Sequence, residues 1–241
     1  MPVSFRPLPA LTVVCMILFA GLIALGVWQL QRLHWKLGLI ADVNRNMAAE
    51  PLTLDQALAM RDAAQYHRVR LFGHFDNAKE AYVFGTGLQG APVFHVVVPF
   101  VTNGGRTIMV DRGIVPRDLR DPATRSRGSI QGEAMVVGVW RVPDPPGAFT
   151  PPPDMGKRIW YSRNVAEMAR VDHQVLAADA LVEADGTPNP GGWPQGGQTE
   201  VNFRNEHLQY AITWFLMAAG LLGVYFAYHI SLGRLTFGKK P

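Results

Sequence analysis

The chain has 241 residues, of which 48% are hydrophobic and 17% charged, and a formal net charge of +4. A charged share well below the roughly 25% of soluble domains points away from a freely soluble protein. The single cysteine excludes a disulfide framework and any CxxC metal or redox pair, and nucleic acid is not expected as a partner.

Residues Leu8 to Trp28 (LPALTVVCMILFAGLIALGVW) form a run without a charge, long enough to cross roughly 30 Å of hydrocarbon as a helix. The run exceeds the roughly 7 to 15 apolar residues of a cleaved leader and is followed by a tryptophan-rich amphipathic stretch, so an uncleaved anchor is expected. Cys15 lies inside it. GVWQLQRLHWK, residues 26 to 36, continues the helix, with Trp28, Arg32 and Trp35 on one face and Gln29, Arg32 and Lys36 on a neighbouring one. Tryptophan at the interface and snorkelling cations account for part of this pattern. They do not account for a glutamine one turn before the arginine.

A short helix is expected at Thr53 to Arg61. Then HRVRLFGHFD (67 to 76), EAYVFG (80 to 85), VFHVVVPF (93 to 100), RTIMVDRGIV (106 to 115) and GEAMVVGVWRV (132 to 142) read as strands separated by Gly and Asn turns. An antiparallel meander or small barrel is the expected outcome. VPDPPGAFTPPPD (142 to 154) reads as a surface loop. IWYS (159 to 162) reads as a strand, NVAEMARV (164 to 171) as a helix, VLAADALVEA (175 to 184) as a strand and GTPNPGGWPQGGQ (186 to 198) as a flexible approach to a second span.

That span, Tyr210 to Tyr228, is again uncharged. Ala219, Gly223 and Ala227 form a small-residue stripe on it, and Ala20 with Ala24 on the first; either the stripes pair the helices or they reflect the ordinary composition of spans. Paired spans bring Gln29 to Lys36 beside Asn205 to Trp214. The charges flanking the spans, Arg6, Arg234, Lys239 and Lys240 at the outer ends and Arg32, Lys36, Arg45 and Arg204 at the inner ones, leave the positive-inside count close to a tie.

The expected fold class is an α+β membrane protein: two transmembrane helices flank one mainly antiparallel β extramembrane domain with short helices. Residues 1–7 and 231–241 are the two termini, on one and the same side of the membrane, 8–30 and 207–230 the helices and 31–206 the β domain with its linkers; the charges leave the side open. Enzyme motifs are absent: no GxSxG, P-loop, HExxH or GxGxxG after a strand. The seven histidines are scattered without zinc-site spacing. DRG, Asp111 to Gly113, reads as an ion pair at a strand end, with a catalytic carboxylate and arginine clamp as the alternative.

The second span begins with NEHLQYAITWF, residues 205 to 215, where His207, Ala211, Trp214, Ala218, Leu221 and Tyr225 follow a 3.6-residue rhythm. Hydrocarbon favours neutral imidazole, the form that ligates haem iron. Gly26, Trp28, Gln29, Arg32, Trp35, Lys36, Leu39 and Ile40 give the pattern G-x-W-Q-x-x-R-x-x-W-K-x-x-L-I, which resembles the opening signature of the surfeit locus protein 1 family of cytochrome c oxidase assembly factors. Asn205, His207, Leu208, Tyr210, Ala211, Thr213, Trp214 and Phe215 resemble its closing signature. YHRVRLFGHF, VPFVTNGGRTIMVDRGIVP, GVWR and WYSRNVAEMA agree with the family in between. One departure is Ile114, where the family's arginine-glycine motif continues with tryptophan.

The resemblance implies an assembly factor for the haem-copper (aa3-type) oxidase that binds haem a as transient cargo and assists its insertion into subunit I. Haem a synthase and membrane lipid are further implied partners. Catalysis is not expected. The implied cofactor-binding set is His207 as axial ligand, Trp28, Tyr210 and Trp214 as apolar walls, Arg32 and Lys36 on the propionates, and Gln29. His34 as a second ligand is a competing idea. A scaffold that steadies subunit I without touching haem is the alternative function. A bacterial inner-membrane protein with a periplasmic central domain is the expected setting.

Overall fold

The computed structural model describes residues 3–87, 90–199, 203 and 205–237. Arg204, Lys239 and Lys240 lie outside the described residues. In chain order the elements are β1 (Val3–Phe5), α1 (Pro9–Ala48), β2 (Leu52–Thr53), α2 (Leu54–Met60), β3 (Arg68–Phe75), β4 (Ala81–Thr86), β5 (Pro92–Thr102), β6 (Thr107–Pro116), β7 (Ala134–Arg141), β8 (Ile159–Trp160), α3 (Val165–Val171), β9 (Leu176–Ala184), α4 (His207–Ser231) and β10 (Leu235–Phe237). They divide into two compact units, Met1–Asp42 with Asn202–Pro241, and Val43–Val201.

In the first unit α1 and α4 are, among the described residues, the two helices long and apolar enough to cross a membrane. Val13, Val14, Met16, Ile17 and Leu18 on α1 and Leu216 and Val224 on α4 are exposed, which suits hydrocarbon and not water. The 25 residues of α4 span about 37 Å, and the 40 of α1 about 60 Å, so α1 runs well beyond the hydrocarbon thickness. The helices are antiparallel neighbours: Thr12 meets Tyr225 near one end and Gln29 meets His207 near the other. β1 pairs with β10 beside the former contact.

The seam does not follow the small-residue stripes. Ala219, Gly223 and Ala227 are exposed, as are Ala20 and Ala24. The buried positions of α4 are Ala211, Ala218 and Tyr225, seven apart, followed by His229. An i+4 stripe drifts about 40° around a helix with each step, whereas heptad spacing tracks a neighbour. The close approach falls instead at Gly26, where a Cβ would lie 2.5 Å from the Phe215 ring.

In the second unit the sheet order is β2-β3-β7-β9-β6-β5-β4-β8, and β3 also pairs with β5. That extra pairing closes β3, β7, β9, β6 and β5 into a small barrel. The long β5 serves both ends: Phe100–Thr102 pair with β3, while Pro92–Val97 pair with β4. Most pairings are antiparallel; β2–β3, β4–β8 and β6–β9 are parallel. Alternation sets the faces. In β3 the pattern of Val69, Leu71 and Phe75 inward and Arg70, Phe72 and His74 outward fills the barrel from one side only.

A second apolar layer lies on the outer face, where Val83, Val97, Met109, Trp160 and Leu181 receive Val165, Met168 and Ala169 of α3. Those three helix positions fall at i, i+3 and i+4, and Asn164 caps the helix by accepting from the Glu167 N–H. Thr53 and Gln56 form a reciprocal capping box at the start of α2.

Three sequence expectations are corrected here. Residues 186–198 are not a free tether: Trp193 packs against the barrel core, and Gln195 exchanges backbone bonds of 3.0 and 2.9 Å with Ile114. Gly113 has φ +107 and lies so close to the Gln195 carbonyl that a Cβ has no room, which explains the glycine of DRG. Asp111 and Arg112 do not pair with each other, because successive strand residues face opposite ways. Arg112 is buried, donates to the Gly128 carbonyl and the Asn189 side chain, and stacks over Phe75 at 4.6 Å. IWYS also shortens to the two residues of β8, after which the chain turns into α3.

Candidate functional site at the end of the helix pair

His207 is the first residue of α4, held to α1 by a 2.8 Å contact between its Nδ1 and Gln29 Oε1. With the Gln29 carbonyl accepting, Nδ1 carries the hydrogen and Nε2 keeps the lone pair. A second group that fixes the tautomer and aims the ring is the usual accompaniment of a metal-ligating histidine. The glutamine one turn before the arginine thus has a physical role. The residues around it divide by face: Lys36 and Trp214 are half-buried, whereas Trp28 is 53% and Tyr210 51% exposed.

Arg32 is exposed and lies with its guanidinium 4.0 Å from the centroid of the Trp35 ring. The Trp214 indole N–H is a buried donor, and Asn205 Oδ1 a buried acceptor, without hydrogen-bond partners among the described residues. The structure therefore brings His207 and Gln29 together, places Trp214 and Lys36 at the half-buried positions and leaves Trp28, Arg32 and Tyr210 on the outer surface of the helix pair. His34, about 140° around α1 from Gln29, is exposed and bonds its own helix through Nδ1 and the Leu30 carbonyl at 2.9 Å.

The donor set suits a haem carrying two propionates and an apolar tail. It offers one imidazole with a fixed tautomer, two cations within two turns of Gln29, an indole donor, and apolar helix surfaces on which a tail can lie. Among the described residues no group of three or more His, Cys, Asp or Glu is placed to hold a bare metal ion.

A second histidine on α4 escaped the sequence reading. His229 is fully buried; Nδ1 donates to the Tyr225 carbonyl at 2.9 Å, Nε2 accepts from the Leu8 N–H at 3.3 Å, and its ring lies 4.2 Å from that of Tyr225. The signal was present, since 229 continues the Tyr225 stripe at i+4.

The β domain holds two buried ionic clusters that no local spacing announces. In the first, Arg125 donates to both oxygens of Glu80 at 3.0 and 2.6 Å, and the Tyr82 hydroxyl donates to the same carboxylate at 2.8 Å. Burial, reinforced by the Glu80 charge, pushes the Tyr82 phenol well above its ordinary value. Burial lowers nearby Arg112 to about 10.

In the second, His95 Nδ1 meets Asp111 Oδ2 at 2.9 Å, while Arg163 approaches Asp111 and Glu183 at 3.6 and 3.7 Å and Arg141 approaches Glu183 at 3.6 Å. Arg141 Nη1 and Arg163 Nε are buried without hydrogen-bond partners among the described residues. A cleft of about 330 Å³ opens onto this cluster.

The SURF1 family model matches residues 16–219. The chain is similar to Surfeit locus protein 1 of Takifugu rubripes, 35% identical over 223 residues that cover 84% of this chain and 90% of that protein. It is likewise similar to Surfeit locus protein 1 of Mus musculus (35% identical, 84% of this chain, 70% of that protein) and of Homo sapiens (34% identical, 84% of this chain, 72% of that protein). The match takes in α1 from Met16, the whole β domain and the His207 end of α4, and on that extent the chain belongs to the SURF1 family.

Proposed function

We propose that this chain serves in the assembly of haem-copper (aa3-type) cytochrome c oxidase, holding haem a as cargo through His207 for delivery to subunit I. The observation that carries the reading is the 2.8 Å contact between His207 Nδ1 and Gln29 Oε1, which leaves Nε2 as the basic nitrogen. Haem supplies an iron that accepts imidazole and two carboxylates that accept cations. Gln29 holds the ring orientation. Arg32 and Lys36 serve the propionates, Trp214 supplies a half-buried apolar wall, and Trp28 and Tyr210 offer flat surfaces from the outer side. Attachment through one protein ligand on an open surface suits a donor that must also release. The setting that accompanies this reading is a bacterial inner membrane with the β domain in the periplasm, and haem a synthase as the upstream partner.

The same contact favours a second reading. A histidine already bonded across the helix pair can simply clamp α1 to α4 in a scaffold that steadies subunit I without haem. Co-purification of subunit I with the wild type and with His207→Ala separates the two. The haem reading expects subunit I to be retained by the variant while its haem a content falls. Loss of subunit I from the variant in the absence of haem a synthesis favours the clamp.

A further inference from the structure

At its β8 edge the sheet stops short. β8 pairs only with Tyr82 and Val83 of β4, so Phe84–Thr86 carry no strand on that side among the described residues. Unpaired strand ends of this kind are templates for another chain. The neighbourhood is built to receive side chains on both faces. On the barrel face, a cleft of about 500 Å³ is lined by Phe84, Phe94 and Tyr161 together with Arg117, Arg120 and Lys157. Among the described residues no carboxylate lines it.

Phe84 and Tyr161 are 42% and 41% exposed, with ring centroids 5.9 Å apart, so two aromatic rings stand open beside the free edge. Arg117 makes no ion pair among the described residues, and Arg120 lies over Phe94 at 5.4 Å instead of against an acid. Among the described residues Lys157 is paired only with half-buried Asp154, at 3.1 Å. On the opposite face, Gly85 and His95 border the ion-pair cleft described above.

We propose that β4 is a docking edge for an extended acidic segment of a partner polypeptide, which adds as a strand beside Phe84–Thr86. Backbone bonds to the edge fix its register, and every second side chain falls on the same face. Acidic side chains on the barrel face meet Arg117, Arg120 and Lys157. Apolar ones on that face lie against Phe84 and Tyr161. The charge complementarity decides the partner's chemistry, because three cations without a lining carboxylate repel a basic segment and favour an acidic one. Nothing in this proposal depends on His207 or on haem, so either reading of the helix pair is compatible with it.

The test uses the full chain in detergent and a fluorescein-labelled, end-blocked peptide of alternating Asp and Val, followed by fluorescence anisotropy. Binding is expected to weaken about tenfold or more in the double variant Arg117→Glu/Lys157→Glu, which alters exposed side chains only. It is also expected to weaken with added salt, and to be lost when a central residue of the peptide is proline, which cannot donate to the edge. A Lys-for-Asp peptide is expected not to bind. The proposal is overturned if the Asp peptide fails to bind, if charge reversal leaves affinity unchanged, or if the proline peptide binds as well as its parent. Displacement of the peptide by phenylbutyrate at similar concentration also overturns it, in favour of a site for small amphipathic acids.

Discussion

α4 carries a histidine near each end, and the two sit in opposite circumstances. His229 is fully buried with both ring nitrogens engaged by backbone groups, the Tyr225 carbonyl and the Leu8 N–H. His207 is half-buried with Nδ1 engaged by a side chain, Gln29. A group whose bonding capacity is spent inside the fold holds the fold; a group positioned by one bond and left with a basic nitrogen is available for a ligand. The β domain repeats the contrast with ions. Glu80 receives Arg125 and Tyr82 at hydrogen-bond distance, whereas Glu183 has Arg141 and Arg163 only at 3.6 and 3.7 Å.

The largest effect should come from breaking the tight ionic cluster. Arg125→Met leaves Glu80 buried and unpaired, and should cost about 3–5 kcal/mol of β-domain stability in denaturant unfolding. A cost under about 1 kcal/mol would erase the contrast between the two clusters. His229→Ala should come next, at about 2–4 kcal/mol, since it opens a cavity and strands the Leu8 N–H. It should lower the melting temperature in detergent without changing bound pigment. Gly26→Val should cost about 1–3 kcal/mol by forcing a side chain into the Phe215 ring, and disulfide trapping between the helices should report their separation.

His207→Ala should change stability least, by under about 1 kcal/mol, the usual scale of an interhelical hydrogen bond in a membrane. A loss as large as that of His229→Ala would make both ends structural and sink the distinction.

The phenol of Tyr82 sharpens the account of the Glu80 cluster through pH. Its folded value is raised above the ordinary tyrosine range, first by burial and then by Glu80, so above about pH 10 the folded chain binds more protons than the unfolded one and stability falls as pH rises. Arg112, lowered to about 10 by burial, contributes with the opposite sign. Tyr82→Phe removes only the first contribution. Its melting temperature should therefore decline less than that of the wild type between about pH 9.5 and 11; parallel declines would show that the hydroxyl is not held as described.

Much of this was legible before the structure. HRVRLFGHFD and NVAEMARV are legible as the strand β3 and the helix α3, whereas the meeting of Gln29 with His207 is expected only if the small-residue stripes pair the spans, and the seam runs along other positions. What stayed hidden depends on long-range register. His95 reaches Asp111 through a bulge in the β5–β6 ladder between His95 and Val97, and no local spacing encodes a bulge. Glu80 and Arg125 are joined across 45 positions. The small-residue stripes misled because i+4 recurrence is a property of one helix, whereas a seam is a property of two. Gly113 was read as part of an ion-pair motif, yet its reason is the Gln195 backbone against it.

The central claim is that His207, and not His229, is the histidine available to a ligand. Its most direct test is the pyridine haemochrome spectrum of the protein purified from cells that make haem a, beside His207→Ala and His229→Ala. The account predicts near-stoichiometric haem a in the wild type, retained in His229→Ala and absent from His207→Ala. Equal pigment in all three, or none in the wild type, would contradict it.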